Sequence, residues 1–144
     1  VNNYIKMEDW GTIKLAQIES GDDFWALLFE LADDESKFLH NRSTLVEAFK
    51  DGQLYGLRVC ESQKMYERFA RVDGVFCRGS YYLLPCFCVT QDLTAVIIWT
   101  HTRARKMGFA KKLVELLHIE RAWNPLPDSL EFWMKCNITP TEHL

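Results

Sequence analysis

The stretch Ala95-Val96-Ile97-Ile98-Trp99-Thr100-His101-Thr102-Arg103-Ala104-Arg105-Lys106-Met107-Gly108-Phe109-Ala110 decides how the chain is read. Thr94 to His101 is apolar and β-prone, as a buried strand must be. It runs into a basic, glycine-containing turn, and Gly108 opens a helix whose Phe109, Leu113, Leu116 and Leu117 make one apolar stripe. A strand that enters a helix through such a turn leaves backbone N–H groups unpaired where the helix dipole is positive. Two negative phosphates suit that place, and a residue without Cβ at 108 lets them approach the backbone. Arg103, Arg105 and Lys106 add positive charge around it, and the small Ala110 avoids a clash on the next turn. The plain alternative is a surface helix start with a chance basic cluster. The phosphate-loop pattern ending in Gly-Lys-Ser/Thr is absent, and so is the dinucleotide pattern of three spaced glycines.

Upstream, Tyr81 to Val89 is a second apolar, aromatic run, and the turn Thr90-Gln91-Asp92 joins it to the first as an antiparallel hairpin. Pro85 inside that run requires an edge position or a bulge. Leu54 to Cys60 reads as another strand, while Gln63 to Asp73 reads as a charged loop with a short ordered piece. Thr12 to Glu19 alternates apolar and polar residues and forms a first strand. Ser20 then caps a helix carrying Phe24, Trp25, Leu27, Leu28 and Leu31, with Asp23 at the box position. A second helix starts at Thr44, with Glu47 completing its box, and stops at Gly52. Downstream, a last helix runs from an Asp128 cap to Cys136, and Asn137 takes the left-handed position after it. The order β-α-α-β-β-β-α-(β)-α defines an α/β domain with a central mixed sheet flanked by helices. No repeat or linker divides residues 1–144, so they are read as a single domain.

Arg105-Lys106-Met107-Gly108-Phe109-Ala110 resembles the signature of the GNAT N-acetyltransferase superfamily. In that family Gln or Arg is followed three residues later by Gly and then, two residues on, by Gly or Ala. A second family pattern, on the last helix, is paralleled by Ser129-Leu130-Glu131-Phe132-Trp133-Met134-Lys135-Cys136-Asn137-Ile138. The two occur in the family's order and at about its spacing, so the resemblance covers nearly the whole chain. It implies a GNAT-type acyltransferase fold and acetyl-CoA as cosubstrate. It further implies that backbone groups of Ile98, Trp99 and Thr100 pair with the pantetheine arm. The N–H groups from Arg105 through Lys106, Met107, Gly108 and Phe109 to Ala110 would hold the pyrophosphate. Asn124 falls near a position where the family often has an Asn beside the cofactor arm, though Pro125 and Pro127 shift that register.

The chain also departs from the family. Where many members carry a Tyr that protonates the departing thiolate, Trp133 stands here, and an indole is far too weak an acid. Thr94 to Ile98 offers no carboxylate to act as general base. His101 is of a residue type that can serve as acid or base, but it lies toward the pyrophosphate end and reads as a structural or cofactor-side residue. Tyr81, Tyr82, Phe87, Trp99 and Trp133 read as core aromatics, of which one or two could line an acceptor tunnel. No catalytic residue is assigned. Only Thr139 to Leu144 follow Ile138, so the C-terminal strands of the family are expected to be short or missing. Either a homodimer completes the sheet with another subunit's strand, or the domain manages without it.

Composition narrows the remaining choices. The 144 residues are 48% hydrophobic and 26% charged, as in an ordinary globular domain. A net charge of −3 argues against nucleic acid as partner and leans toward a basic, amine-bearing acceptor. No apolar run approaches a membrane span. Cys60, Cys77, Cys86, Cys88 and Cys136 are odd in number and form no C-x-x-C pair, which fits reduced thiols in a cytoplasmic protein. Cys86 and Cys88 point to one face of a strand, without a His or Cys cluster to complete a metal site. The leading expectation is an acetyl-CoA-dependent N-acetyltransferase, in which an amine attacks the thioester directly in a ternary complex. The alternatives are a non-catalytic acyl-CoA-binding module of the same fold, and an α/β interaction domain whose basic turn binds another phosphate ligand.

Overall fold

The computed structural model describes residues 12–34, 42–60, 69 and 72–143. Seven strands form one mixed sheet: β1 Ile13–Gln17, β2 Leu54–Cys60, β3 Phe76–Arg78, β4 Tyr81–Gln91, β5 Thr94–Thr100, β6 Arg121–Trp123 and β7 Thr139–Thr141. Among the described residues they are accompanied by the α-helices α1 Gly21–Asp34, α2 Arg42–Lys50, α3 Phe109–Leu116 and α4 Leu130–Lys135. The strand order is β1-β2-β4-β5-β6-β7, with β3 paired to β4 off that path. Pairings from β1 to β5 are antiparallel, and β5–β6 and β6–β7 are parallel.

Helices cover both faces. On one, α1 and α2 bury Phe24, Leu27, Leu31 and Leu45 against Leu83, Phe87 and Trp99 of the sheet. On the other, Phe109 and Leu113 of α3 and Trp133 of α4 meet Leu57, Leu84, Cys86 and Cys88. Every residue of β4 from Tyr82 to Thr90 is buried, so its two faces supply both cores. Burial of such side chains contributes about 1.5–3 kcal/mol each. Cys86 and Cys88 do share a face, and both are fully buried. Burial pushes the Cys88 thiol up to about 12, and desolvation with Cys88 alongside pushes Cys86 higher still. These are packed, inert thiols. Among the described residues no group of His, Cys, Asp or Glu is placed to hold a metal. No helix among them is long and apolar enough to cross a membrane.

The predicted element order is present, with two strands added. β3 was not expected, and β7 forms where the chain was expected to run short. Helix starts also differ. The first cap holds, since Ser20 Oγ receives the Asp23 N–H, but α2 begins at Arg42, ahead of Thr44. Asp128 does not cap the last helix: Pro127 begins a 3-10 turn, Pro127–Ser129, and α4 opens only at Leu130. Proline's fixed φ favours a first helical position, which moves the start. Gly52 and Asn137 end their helices with left-handed φ of 69° and 58°. Most of Gln63 to Asp73 lies outside the described residues.

β7 bears on whether a second subunit completes the sheet. The Thr141 carbonyl accepts the Asn124 N–H at 2.8 Å, so Thr141 faces β6. Strand alternation then turns the backbone of Pro140 to the open edge, where it has no N–H to give. That edge is blunted against strand addition by a second copy.

Candidate functional site

Pro85 sets the site up. Opposite β2, Leu84-Pro85-Cys86 confront Leu57 alone, because Gly56 pairs with Phe87 and Arg58 with Leu83. The proline therefore sits in a bulge of a central strand, one of the two positions expected for it. Toward β5 it accepts the His101 N–H at 2.9 Å but offers none in return. The His101 carbonyl takes the Ala104 N–H instead, at 2.9 Å, which ends the ladder and starts the 3-10 turn Thr102–Ala104. A missing N–H on one strand thus begins the turn after the next.

β5 also parts from β6. Their pairing stops at Thr94↔Arg121 and Ala95↔Ala122. Immediately beyond, β5 carries a one-residue bulge at Val96, since Val89 pairs with Ile97 and Thr90 with Ala95. From there to Thr100 no strand among the described residues covers the β6-side edge. The His101 N–H points at β4, so alternation assigns the backbones of Ile98 and Thr100 to the open edge and that of Trp99 to β4. The expectation for Trp99 is corrected accordingly. Its backbone is committed to Phe87, its partner in register, and its side chain is buried against Phe87 and the His101 ring.

The turn that follows puts Lys106 at φ 69° and Gly108 at φ 89°, both left-handed, before α3 begins. Among the described residues, the N–H groups of Lys106, Met107, Gly108, Ala110 and Lys111 find no backbone acceptor. They lie at the positive end of α3. Phe109 sends its side chain into the core at 1% exposure, and Met107 is partly buried, so these two offer only backbone to a ligand. Of the basic side chains, Arg103 is held by Asp73 at 2.8 Å, and Arg105 Nε donates to the Thr100 carbonyl at 3.1 Å. Lys106, Lys111 and Lys112 make no ion pair among the described residues. Asn124 lies just past the C-terminal end of β6, the same end of the parallel pair as Thr100. It is exposed, with its N–H spent on Thr141.

One carboxylate at this end was not anticipated. Asp34, the last residue of α1, accepts both the N–H (3.1 Å) and the hydroxyl (3.0 Å) of Thr102. Burial works to raise its pKa, yet the two Thr102 hydrogen bonds and the nearby His101 and Arg105 outweigh it and hold the carboxyl below its ordinary value. No periodicity or motif reports this contact, which joins residues 68 apart in sequence. His101 is itself buried. Its Nδ1 accepts the Arg103 N–H at 3.2 Å, a structural task at the start of the turn.

A groove of about 240 Å³ opens beneath α2, lined by Glu47, Asp51, Gln53, Gln91 and Val96 among others. A turn that presents backbone N–H groups at the surface needs no such cavity to meet phosphates, and the unpaired donors outweigh the volume in locating the site. Trp133 is 3% exposed and packed into the α3 side of the core. Comparison of the chain with protein-family models, with curated proteins and with solved structures gives no match in any of the three.

Proposed function

We propose that this chain is an acetyl-CoA-dependent N-acetyltransferase with the GNAT-type fold. The observation that carries the reading is the parting of β5 from parallel β6 at the Val96 bulge, followed directly by a turn opening α3 in which the N–H groups of Lys106, Met107, Gly108, Ala110 and Lys111 find no backbone acceptor among the described residues. A diphosphate would lie on the N–H groups between Lys106 and Lys111, with the exposed Lys106 beside it. A pantetheine amide would complete the open edge of β5 by pairing with Ile98 and Thr100. A thioester carbonyl reaching that edge would be polarised by a strand N–H, and the acceptor amine would attack it directly.

A second reading is favoured by a specific observation. Trp133 is buried in the core, and β5 bears no carboxylate, so neither of these two positions supplies an acid or a base. A cofactor cradle without them is what a non-catalytic acyl-CoA-binding module would keep. Calorimetric titration with coenzyme A, paired with thiol release from acetyl-CoA over a panel of amines, tests both. Binding with turnover supports the enzyme, and binding without turnover selects the module. A folded protein with no affinity for coenzyme A removes both.

Trp133→Phe gives a further check. Since the indole is not expected to protonate the thiolate, turnover should stay within about threefold of wild type, the chief cost being core volume. A fall of several hundredfold with coenzyme A affinity and folding intact would show that the indole N–H takes part in the reaction.

A further inference from the structure

We propose that Asp34 is a positioning residue for the anion-binding turn, fixing Thr102 so that the N–H groups from Lys106 to Lys111 are set before a ligand arrives. This rests on the coenzyme A reading given above. The turn's remaining hydrogen bonds are mostly local: Ala104 N to His101 O, Arg105 N to Thr102 O, Arg105 Nε to Thr100 O and Arg103 N to His101 Nδ1. Among the described residues, two side-chain contacts tie Thr102 and Arg103 to distant elements. One, Arg103 with Asp73, joins side chains 78% and 48% exposed, where water and salt weaken it. The other is Asp34 with Thr102, whose carboxylate side chain is 8% exposed and which uses one oxygen for two donors. The second oxygen stands 3.9 Å from His101 Nδ1.

Charge alone does not account for a carboxylate in this place. Asp34 ends α1, where the helix dipole disfavours an anion, and it lies beside a turn read as a phosphate site, where an anion repels the ligand. What it supplies is geometry. The left-handed residues Lys106 and Gly108 aim the N–H groups, and their direction follows from where the chain leaves the 3-10 turn that Thr102 begins. A turn already held in its binding shape loses less freedom when the ligand docks. Asp34 therefore acts through Thr102, without touching the ligand.

The test uses Thr102→Val, which keeps the shape and the charge of Asp34 but removes the hydroxyl, at an exposed residue where folding should survive. Alongside it go Thr102→Ser, Asp34→Ala and the Asp34→Ala/Thr102→Val pair. Wild type should bind coenzyme A, Thr102→Val should bind it about tenfold more weakly, and Thr102→Ser should restore the affinity. The double variant should bind no worse than Asp34→Ala alone, because both changes break one interaction. Amide hydrogen exchange in the ligand-free protein should speed up across 102–111 in Thr102→Val, while KM for the acceptor stays put. If wild type binds and Thr102→Val binds equally well, or the two single losses multiply in the double variant, Asp34 does not position the turn and the coenzyme A reading stands. If wild type does not bind coenzyme A, both fall together.

Discussion

Gly108→Val should weaken coenzyme A binding by at least about tenfold, or roughly 1.4 kcal/mol. Two effects act in the same direction. Gly108 caps α3 at φ 89°, a conformation that costs a residue with Cβ about 1–2 kcal/mol and a β-branched one more. The variant relieves that strain by turning the peptide units on either side, and those units carry the N–H groups of Gly108 and Phe109. The added side chain also stands where a diphosphate would approach. Gly108→Asn separates the two, because Asn tolerates left-handed backbone yet still presents a side chain. Equal losses in Val and Asn would assign the effect to blocked approach, and a loss confined to Val would assign it to conformation. Calorimetry gives the affinities, and circular dichroism with thermal melts confirms folding. A folded Gly108→Val protein with wild-type affinity would remove the main support for a phosphate site at α3.

The parts of this site that are legible in the sequence are local. Gly108 announces a helix start because a basic turn precedes it and an apolar stripe follows. Pro85 announces an edge position or a bulge, because a regular strand interior has no use for a residue without N–H. The parts that are not legible depend on which elements meet. Nothing in Asp33-Asp34 marks one of them as the anchor of Thr102, since a charged helix end looks like any solvated surface. The Val96 bulge is hidden within a uniform apolar run, where an inserted residue leaves no break in pattern. With the bulge invisible, so was the alternation beyond it that turns Ile98 and Thr100, but not Trp99, to the open edge. β7 carries no hydrophobic alternation in Thr139-Pro140-Thr141, and it forms because β6 leaves backbone groups that it can satisfy. Local chemistry predicts conformations, while tertiary pairing decides which of them become a site.

The steepest expected result is in pH. With an alkylamine acceptor, kcat/KM should climb about tenfold per pH unit from pH 6 to 8 without levelling off. An amine with a pKa near 10.4 is almost wholly protonated there, and only its neutral fraction, which rises tenfold per unit, can attack a thioester. A dedicated base with a pKa of 6 to 7 would take that proton within the complex and level the profile above its own pKa. Thr94 to Ile98 supplies no such group. Asp34 is poorly suited, because one of its oxygens holds Thr102 and its pKa lies below the ordinary carboxylate value, which makes it a poor proton acceptor. Deprotonation is then left to water, and the slope persists. Glu61 and most of Gln63 to Asp73 fall outside the described residues, and a carboxylate from that stretch is the competitor to exclude. Glu61→Gln and Glu67→Gln should leave the slope unchanged. A plateau between pH 6 and 7 in the wild-type profile, abolished by one of these changes, would overturn the prediction and identify the base.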